Sequence, residues 1–221
     1  MREEKRFNRV RDRLAARRRR LPWERVEKDY TFAAPRRVVS LADLFAGRSQ
    51  LIVYHFMLGP GWEEGCRGCS FVCDHVDGAL PHLGARGVSF VAVSRAPLRE
   101  ILAFRRRMGW KFDWVSSHGG DFNLDYGVSF DPKEIRRRKV LYNYRMMRAP
   151  MEELPGLSVF ARGEDGAIYH TYSTYSRGLD LLINTYNFLD LVPKGRDEED
   201  PDDRMDWVRH HDRYQRAAAA R

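Results

Sequence analysis

Cysteine is scarce in this chain, and its placement excludes as much as its number. Three cysteines serve 221 residues, and all of them lie between positions 66 and 73. A secreted disulfide framework scatters an even number of cysteines along the chain, so that class is excluded. No run approaches the roughly 20 apolar residues needed to span a bilayer. The opening MREEKRFNRVRDRLAARRRR is charged throughout and lacks the apolar segment of a secretory signal. A cytoplasmic protein without a membrane partner is therefore expected. No Gly-x-Ser-x-Gly elbow and no nucleotide-binding glycine loop is present. His210-His211-Asp212 lacks the i, i+4 spacing of a helical zinc pair and reads as a solvated helix face.

Charge is plentiful but unevenly placed. The net charge is +8, and residues 1–20 alone hold ten Lys/Arg against three Asp/Glu. Such an arm suits either an anionic surface or a solvated amphipathic helix whose Phe7, Val10 and Leu14 touch the body. No aromatic interleaving or base-reading motif accompanies the charge, so the helix is preferred and nucleic acid is not expected as a partner. Arginine greatly outnumbers lysine, taken here as the mark of a GC-rich bacterial genome. Hydrophobic residues at 43% and charged residues at 32% describe a globular chain with a wet surface. Its length suits one substantial core.

The informative stretch runs from Leu51 to Leu83. An apolar, partly β-branched run (51–58) leads through a glycine-rich turn to Cys66-Arg67-Gly68-Cys69. Beyond it Cys69, Val72, Cys73, Val76, Leu80 and Leu83 recur at helical steps, predicting one helix to about Gly84. A buried strand delivering Cys-x-x-Cys to the start of a helix is the layout of a dithiol redox site.

Around it, 3–20 reads as a helix stopped by Pro22, and Trp23 to Phe32 as an early strand or extended arm. Val38 to Phe45 reads as a strand end and short helix capped by Ser40. Val88 to Ser94 is a buried strand, and Pro97 opens a helix ending at Gly109. Phe112 to Val115 is a third strand; the basic insert 133–148 is undecided by periodicity. Leu157–Ala161 and Ala167–Tyr172 form a hairpin. Gly178 to Leu191 is a closing helix, with Leu179, Leu182, Ile183, Tyr186 and Leu189 inward. The expected organisation is a basic N-terminal helix (1–22), a central domain (23–192) and a charged C-terminal tail (193–221). That tail carries Trp207, Val208 and Tyr214 and would dock on the body or on a second copy of the chain, as in a homodimer. The poly-Ala end is expected to be loose. This order predicts an α/β, thioredoxin-like three-layer sandwich built on a mixed sheet.

The stretches LPWERVEKDY, SLADLFAGRSQLIVYHFM, GPGWEEGC, SFVAVSRAPL, RRMGWKFDWVSS, ELPGLSVF, HTYSTYSRG and MDWVRHHDRY resemble the bacterial family known as domain of unknown function 899. More distantly, VVSLADLF, VSFVAVS and DYGVSF resemble peroxiredoxins of the alkyl hydroperoxide reductase and thiol-specific antioxidant class. The first resemblance implies a thioredoxin-like dithiol-disulfide oxidoreductase. It also implies a cis Leu154–Pro155 bond beside the cysteines; a trans proline that merely starts a strand is the alternative. Two departures stand out. The peroxiredoxin signature Pro-x-x-x-Thr-x-x-Cys is absent, since Pro60 precedes Cys66 by six residues with no threonine between. Thioredoxin's tryptophan before its first cysteine is replaced by Gly65, with Trp62 the nearest tryptophan.

Dithiol exchange needs one thiol ionised near neutral pH and a second within reach. Helix N-termini and cationic neighbours bring Cys-x-x-Cys thiols down to roughly 3.5–7.5. Cys66, just ahead of the helix, is the expected nucleophile, assisted by Arg67 and opposed by Glu63 and Glu64. Cys69, three residues on, is the expected resolving thiol, with no dissociable cofactor and a cellular thiol donor or disulfide as partner. Cys73 reads as a small core residue, with a second resolving or metal-ligating role as alternatives. A metal site for copper or zinc would draw on Cys66, Cys69, Cys73 and His75, or on His118 or His170, but a continuous helix points His75 about 200° away from Cys73. His170, Tyr172 and Tyr175, in the run HTYSTYSR, are expected either to line a substrate cleft beside the cysteines or to sit on a partly exposed hairpin. A non-redox small-molecule-binding protein of secondary metabolism is the remaining alternative.

Overall fold

The computed structural model describes residues 1–137, 139–198 and 204–214. Good helix formers such as Ala, Leu and Arg make α1 (Arg2–Arg18). None of its residues is buried, so Phe7, Val10 and Leu14 stand exposed rather than packed on the body. The helix end reaches the body through Arg18, whose guanidinium lies 5.3 Å from the Tyr172 ring centroid. Short strands β1 (Glu24–Arg25), β2 (Thr31–Ala33) and β3 (Val38–Ser40) follow. Ser40 and Asp43 cap one another: the Asp43 N–H donates to Ser40 Oγ (3.2 Å) and the Ser40 N–H to Asp43 Oδ2 (2.8 Å).

The central strand β4 (Gln50–His55) leads into the cysteine loop, α2 (Arg67–Cys73) and α3 (Leu80–Ala85). Then come β5 (Val88–Ser94), α4 (Leu98–Arg107), β6 (Asp113–Ser116), α5 (Phe122–Asp125) and α6 (Pro132–Arg136). The basic insert continues as a small hairpin, β7 (Val140–Tyr142) and β8 (Arg145–Met147). The expected long hairpin is β9 (Gly156–Arg162) with β10 (Ile168–Tyr175), and α7 (Asn184–Leu189) follows.

Eight strands pair in the order β1-β10-β9-β4-β5-β6-β2-β3. Strands β4, β5 and β6 are parallel, while β9 lies antiparallel to β4. This is the mixed sheet of the thioredoxin-like α/β sandwich. Alternation along β4 divides the core. Tyr54, with Phe56 just beyond, joins Cys69, Val72 and Cys73 of α2 and Ile101 and Phe104 of α4 on one face. Leu51 and Val53 join Phe32, Phe45, Phe122 and Phe160 on the other.

Three expectations change. The helix after the cysteines is not continuous: α2 ends at Cys73, a 3-10 turn spans Asp77–Ala79, and α3 begins at Leu80. The Asp77 carboxylate accepts from the backbone N–H groups of Lys111 and Phe112, and Asp74 accepts from Trp110 Nε1 (2.8 Å). Those tertiary bonds fix the chain where Gly78 already weakens a helix. The closing helix is likewise split, into 3-10 turns over Ser176–Leu182 and then α7. Ile183 leaves helical space there (φ −95°, ψ 89°), and Leu182 is exposed. Finally, no peptide bond among the described residues is cis, so Leu154–Pro155 is trans. The C-terminal tail docks on its own body, with Val208 and His210 buried; the poly-Ala end lies outside the described residues. Among the described residues no helix is long and apolar enough to cross a membrane.

His55 occupies the third inward position of β4 on the second face, fully buried, with Nε2 2.9 Å from Ser158 Oγ. Burial pulls its pKa down to about 3. A base whose folded pKa lies below its unfolded value supports the fold fully above pH ~6.5 and loses that support as pH falls towards 3. Urea unfolding across pH 7 to 4 should therefore steepen by up to about 1.4 kcal/mol per pH unit below 6.5. His55→Gln should flatten that dependence; an identical slope in the variant would contradict it.

Candidate functional site

The strand ladder stops at His55, and Met57 turns its backbone to the cysteines. Its N–H points at Cys69 Sγ (3.4 Å), and its C=O accepts the Cys66 N–H (3.0 Å). Ser94 secures the strand end, its hydroxyl donating to the Phe56 carbonyl (2.7 Å) while Trp114 Nε1 donates to the same hydroxyl. Cys66 is the N-cap of α2, with extended ψ of 131°. Its carbonyl accepts both the Ser70 N–H and the Ser70 hydroxyl at 2.9 Å.

The i, i+3 spacing puts Cys66 and Cys69 on one face of that first turn. Their environments differ: Cys66 is half-buried and Cys69 is fully enclosed; both carry free thiols. The Cys69 thiol first, and then the backbone N–H groups of Cys69 and Gly68, favour the charged form of the Cys66 sulfur. With Arg67 nearby, these outweigh burial and bring its pKa down to about 6. Burial first, then the adjacent Cys66 charge, pushes Cys69 well up. The Tyr54 hydroxyl, itself buried, faces Cys69. Cys73 lies in the core, its pKa raised by burial, and does not line the cleft beside Cys66.

That cleft holds about 510 Å³ and is lined by Cys66, Cys69, Tyr54 and Pro155 together with Tyr186 and Met205. Pro155 is thus beside the cysteines, though in the trans form. Tyr142 donates to its carbonyl at 2.6 Å. Trp62 is elsewhere, its indole folded against Gly59 at the edge of the core. The hairpin candidates do not reach this cleft: His170 and Tyr175 line a different cavity, and Tyr172 lies under Arg18. Register puts His170, opposite Phe160 and Leu51, on the far face of the sheet; the bulge between His170 and Tyr172 then brings Tyr175 to that face and leaves Tyr172 opposite Val159 on the cysteine side.

Two histidines of the metal alternative are engaged in hydrogen bonds. His75 Nδ1 lies 2.7 Å from the Phe71 carbonyl and Nε2 2.8 Å from Thr185 Oγ1. His118 Nδ1 meets the Arg95 carbonyl at 3.0 Å. Among the described residues no three His, Cys, Asp or Glu side chains are grouped to hold a metal ion.

The C-terminal segment contributes what sequence reasoning missed. His210 Nε2 lies 2.9 Å from the Gly65 carbonyl, directly before Cys66, and Arg67 donates to the Asp206 carbonyl (3.4 Å). Glu64, expected to oppose ionisation of Cys66, is instead clamped by Arg107 (3.0 Å) and Arg213 (2.6 Å). These partners overcome its partial burial and hold its carboxyl below the usual range. The Met205 sulfur would lie 3.0 Å from a Cβ placed on Gly68. None of these contacts has a sequence signal, since Glu64 and Arg107 are 43 residues apart and His210–Gly65, Arg67–Asp206 and Arg213–Glu64 are 145, 139 and 149 apart. Tyr54 did: alternation places it on the face of Phe56 and the cysteine helix.

The family described as "Bacterial protein of unknown function (DUF899)" matches residues 1–214. The chain belongs to that family. Among curated proteins none matches it. Solved structures similar to this DUF899 protein include peroxidoxin BcpB from Mycobacterium tuberculosis, at 13% identity and TM-score 0.51 over 75% of this chain and 95% of that one. The mitochondrial 2-Cys peroxiredoxin from Plasmodium falciparum is similar at 14% identity and TM-score 0.47, over 76% and 94% of the two chains. A putative protein disulfide isomerase from Bacteroides thetaiotaomicron follows at 17% and 0.42, over 76% and 91%. At such identities the BcpB likeness speaks for the thioredoxin-type fold alone, in agreement with the sheet order.

Gly65 explains one departure in this DUF899 protein. A Cβ there would lie 2.6 Å from the Phe56 ring and 2.7 Å from that of Phe104. No larger residue fits ahead of Cys66. Gly65→Ala should cost about 1–3 kcal/mol in urea unfolding and change the alkylation rate of Cys66. Unaltered stability and rate would show that the packing around Gly65 yields.

Proposed function

We propose that this DUF899 protein is a thiol–disulfide oxidoreductase in which Cys66 attacks and Cys69 resolves. The observation carrying this reading is the asymmetry of the pair: a half-buried sulfur with its pKa at about 6 beside an enclosed thiol that favours its charged form. At neutral pH Cys66 is largely thiolate, the form that attacks a disulfide. Its sulfur bonds to one sulfur of the substrate disulfide, whose second sulfur departs as a thiolate. With the Cys66 charge gone, one cause of the high Cys69 pKa is removed. The Met57 N–H is already directed at the thiolate that forms. Cys69 gives up its proton to the departing thiolate and bonds to Cys66 Sγ, expelling the other half of the substrate. Two electrons pass from the cysteine pair to the substrate, leaving an internal disulfide. A cellular thiol donor returns them by the reverse exchange. Cys73 has no part in these steps.

Two measurements test this. Mild oxidation with diamide should lower the intact mass by two hydrogens, in wild type and in Cys73→Ser, and not in Cys66→Ser. A mass unchanged by the oxidant in wild type defeats the proposal. Iodoacetamide alkylation of Cys66 should rise with pH through a midpoint near 6, because the depressed group ionises there rather than near ~8.5. In Cys69→Ala, without that thiol, the midpoint should move up by at least about one unit. A wild-type midpoint above 8 would remove the basis for Cys66 as nucleophile.

A further inference from the structure

The sheet face opposite the cysteines carries a second cavity, of about 490 Å³, where β10, the residues after α5 and the β7–β8 turn meet. Its walls are rings: Tyr30, Tyr126, Tyr144, Tyr175 and His170. The Tyr126 and His170 centroids are 5.4 Å apart, and those of Tyr144 and Tyr175 are 5.7 Å apart. Aromatic faces present negative potential. Glu24, Glu27 and Asp125 line the cavity against Arg25 and Lys28, one carboxylate more than cations, in a chain whose net charge is +8.

Both cations are already engaged. Arg25 pairs with Glu27 at 3.4 Å, and Lys28 pairs with Asp121 and Asp125 at 2.8 Å each. Glu24 makes no ion pair among the described residues, and its charge is felt by both Tyr126 and His170. Lys28 also shows what this hollow favours: its ammonium lies 5.6 Å from the Tyr30 ring centroid.

Two features shape the cavity at a cost to folding. Tyr144 occupies the left-handed region (φ 61°), where Gly or Asn is usual in a two-residue hairpin turn. It is 74% exposed and is held in place by its hydroxyl donating to the Ser173 carbonyl (3.0 Å). His170 is fixed by a chain of polar side chains across three strands. Its Nε2 is 2.7 Å from Ser173 Oγ, which is 2.8 Å from Ser158 Oγ, which is 2.9 Å from His55 Nε2. The last three residues are buried.

We propose that this cavity binds a small organic ammonium ion, with Glu24 facing the cationic nitrogen and the rings of Tyr126, Tyr144 and Tyr175 enclosing it. Ring faces attract a cation, and the unpaired carboxylate supplies the opposite charge. The site shares no lining residue with the cysteine cleft. It therefore stands whether or not Cys66 performs disulfide exchange.

Calorimetric titration of the full chain with choline chloride tests this against 3,3-dimethylbutan-1-ol, its uncharged isostere, with phenethylammonium chloride as a larger cation. Saturable binding of at least one cation is expected, with the alcohol at least about tenfold weaker than choline. Glu24→Gln and Tyr144→Gly should each weaken the cation roughly five- to tenfold with the unfolding midpoint held, and Cys66→Ser should leave binding unchanged. Tyr144→Gly removes the ring while relieving the left-handed strain, so lost binding there is not a folding defect. Equal binding of alcohol and choline, indifference to both cavity variants, or no saturable heat with either cation up to about 10 mM overturns the proposal.

Discussion

The unequal setting of two neighbouring sulfurs, Cys66 half-buried at the N-cap of α2 and Cys69 enclosed one turn on, is the constraint on which the proposed exchange depends. It exists because β4 gives up its ladder at His55, allowing Met57 to bond Cys66 with its carbonyl and face Cys69 with its N–H. The helix that starts there brings the two sulfurs to one face. Burial alone would push both thiols up. The Cys69 thiol, the nearby backbone N–H groups and Arg67 favour charge on Cys66 alone, and so the pair is sent in opposite directions.

Packing around that pair is supplied from far along the chain. Phe56 and Phe104 press on Gly65 so closely that no side chain fits there. The C-terminal segment closes the other side through His210 on the Gly65 carbonyl and through Arg107, which binds both Glu64 and Asp212. The acidic residue nearest the cysteines is thus neutralised by the same arginine that holds the tail. Conversely, the sheet separates the two cavities: Tyr54 faces the sulfurs, while its neighbour His55 faces the aromatic hollow through Ser158 and Ser173. Alternation along one strand makes that division.

Much of the fold was legible from pattern. Val88 to Ser94 is a strand at both expected ends, since a short, β-branched, largely apolar run has few other solutions. The long hairpin and the Pro97–Gly109 helix follow from turn and cap residues that act locally. Other expectations failed where a distant group intervened. The helical period continues past Cys73 to Leu83, yet Asp77 is drawn to Lys111 and Phe112 and the helix breaks. Phe7, Val10 and Leu14 have helical spacing, yet among the described residues none buries them. His170 and Tyr175 belong to the run expected at the cleft, yet strand register, shifted by a bulge before Tyr175, puts both on the other face.

The sequence by itself determined the α/β order, the family, and the position of a Cys-x-x-Cys at a strand-to-helix turn, because these rest on spacing within a few residues. Tertiary structure alone decided how Glu64 is neutralised, how deeply each sulfur is buried, and which aromatic residues share a cavity. Those outcomes depend on burial and on bonds between positions far apart in the chain, and local periodicity carries no record of either.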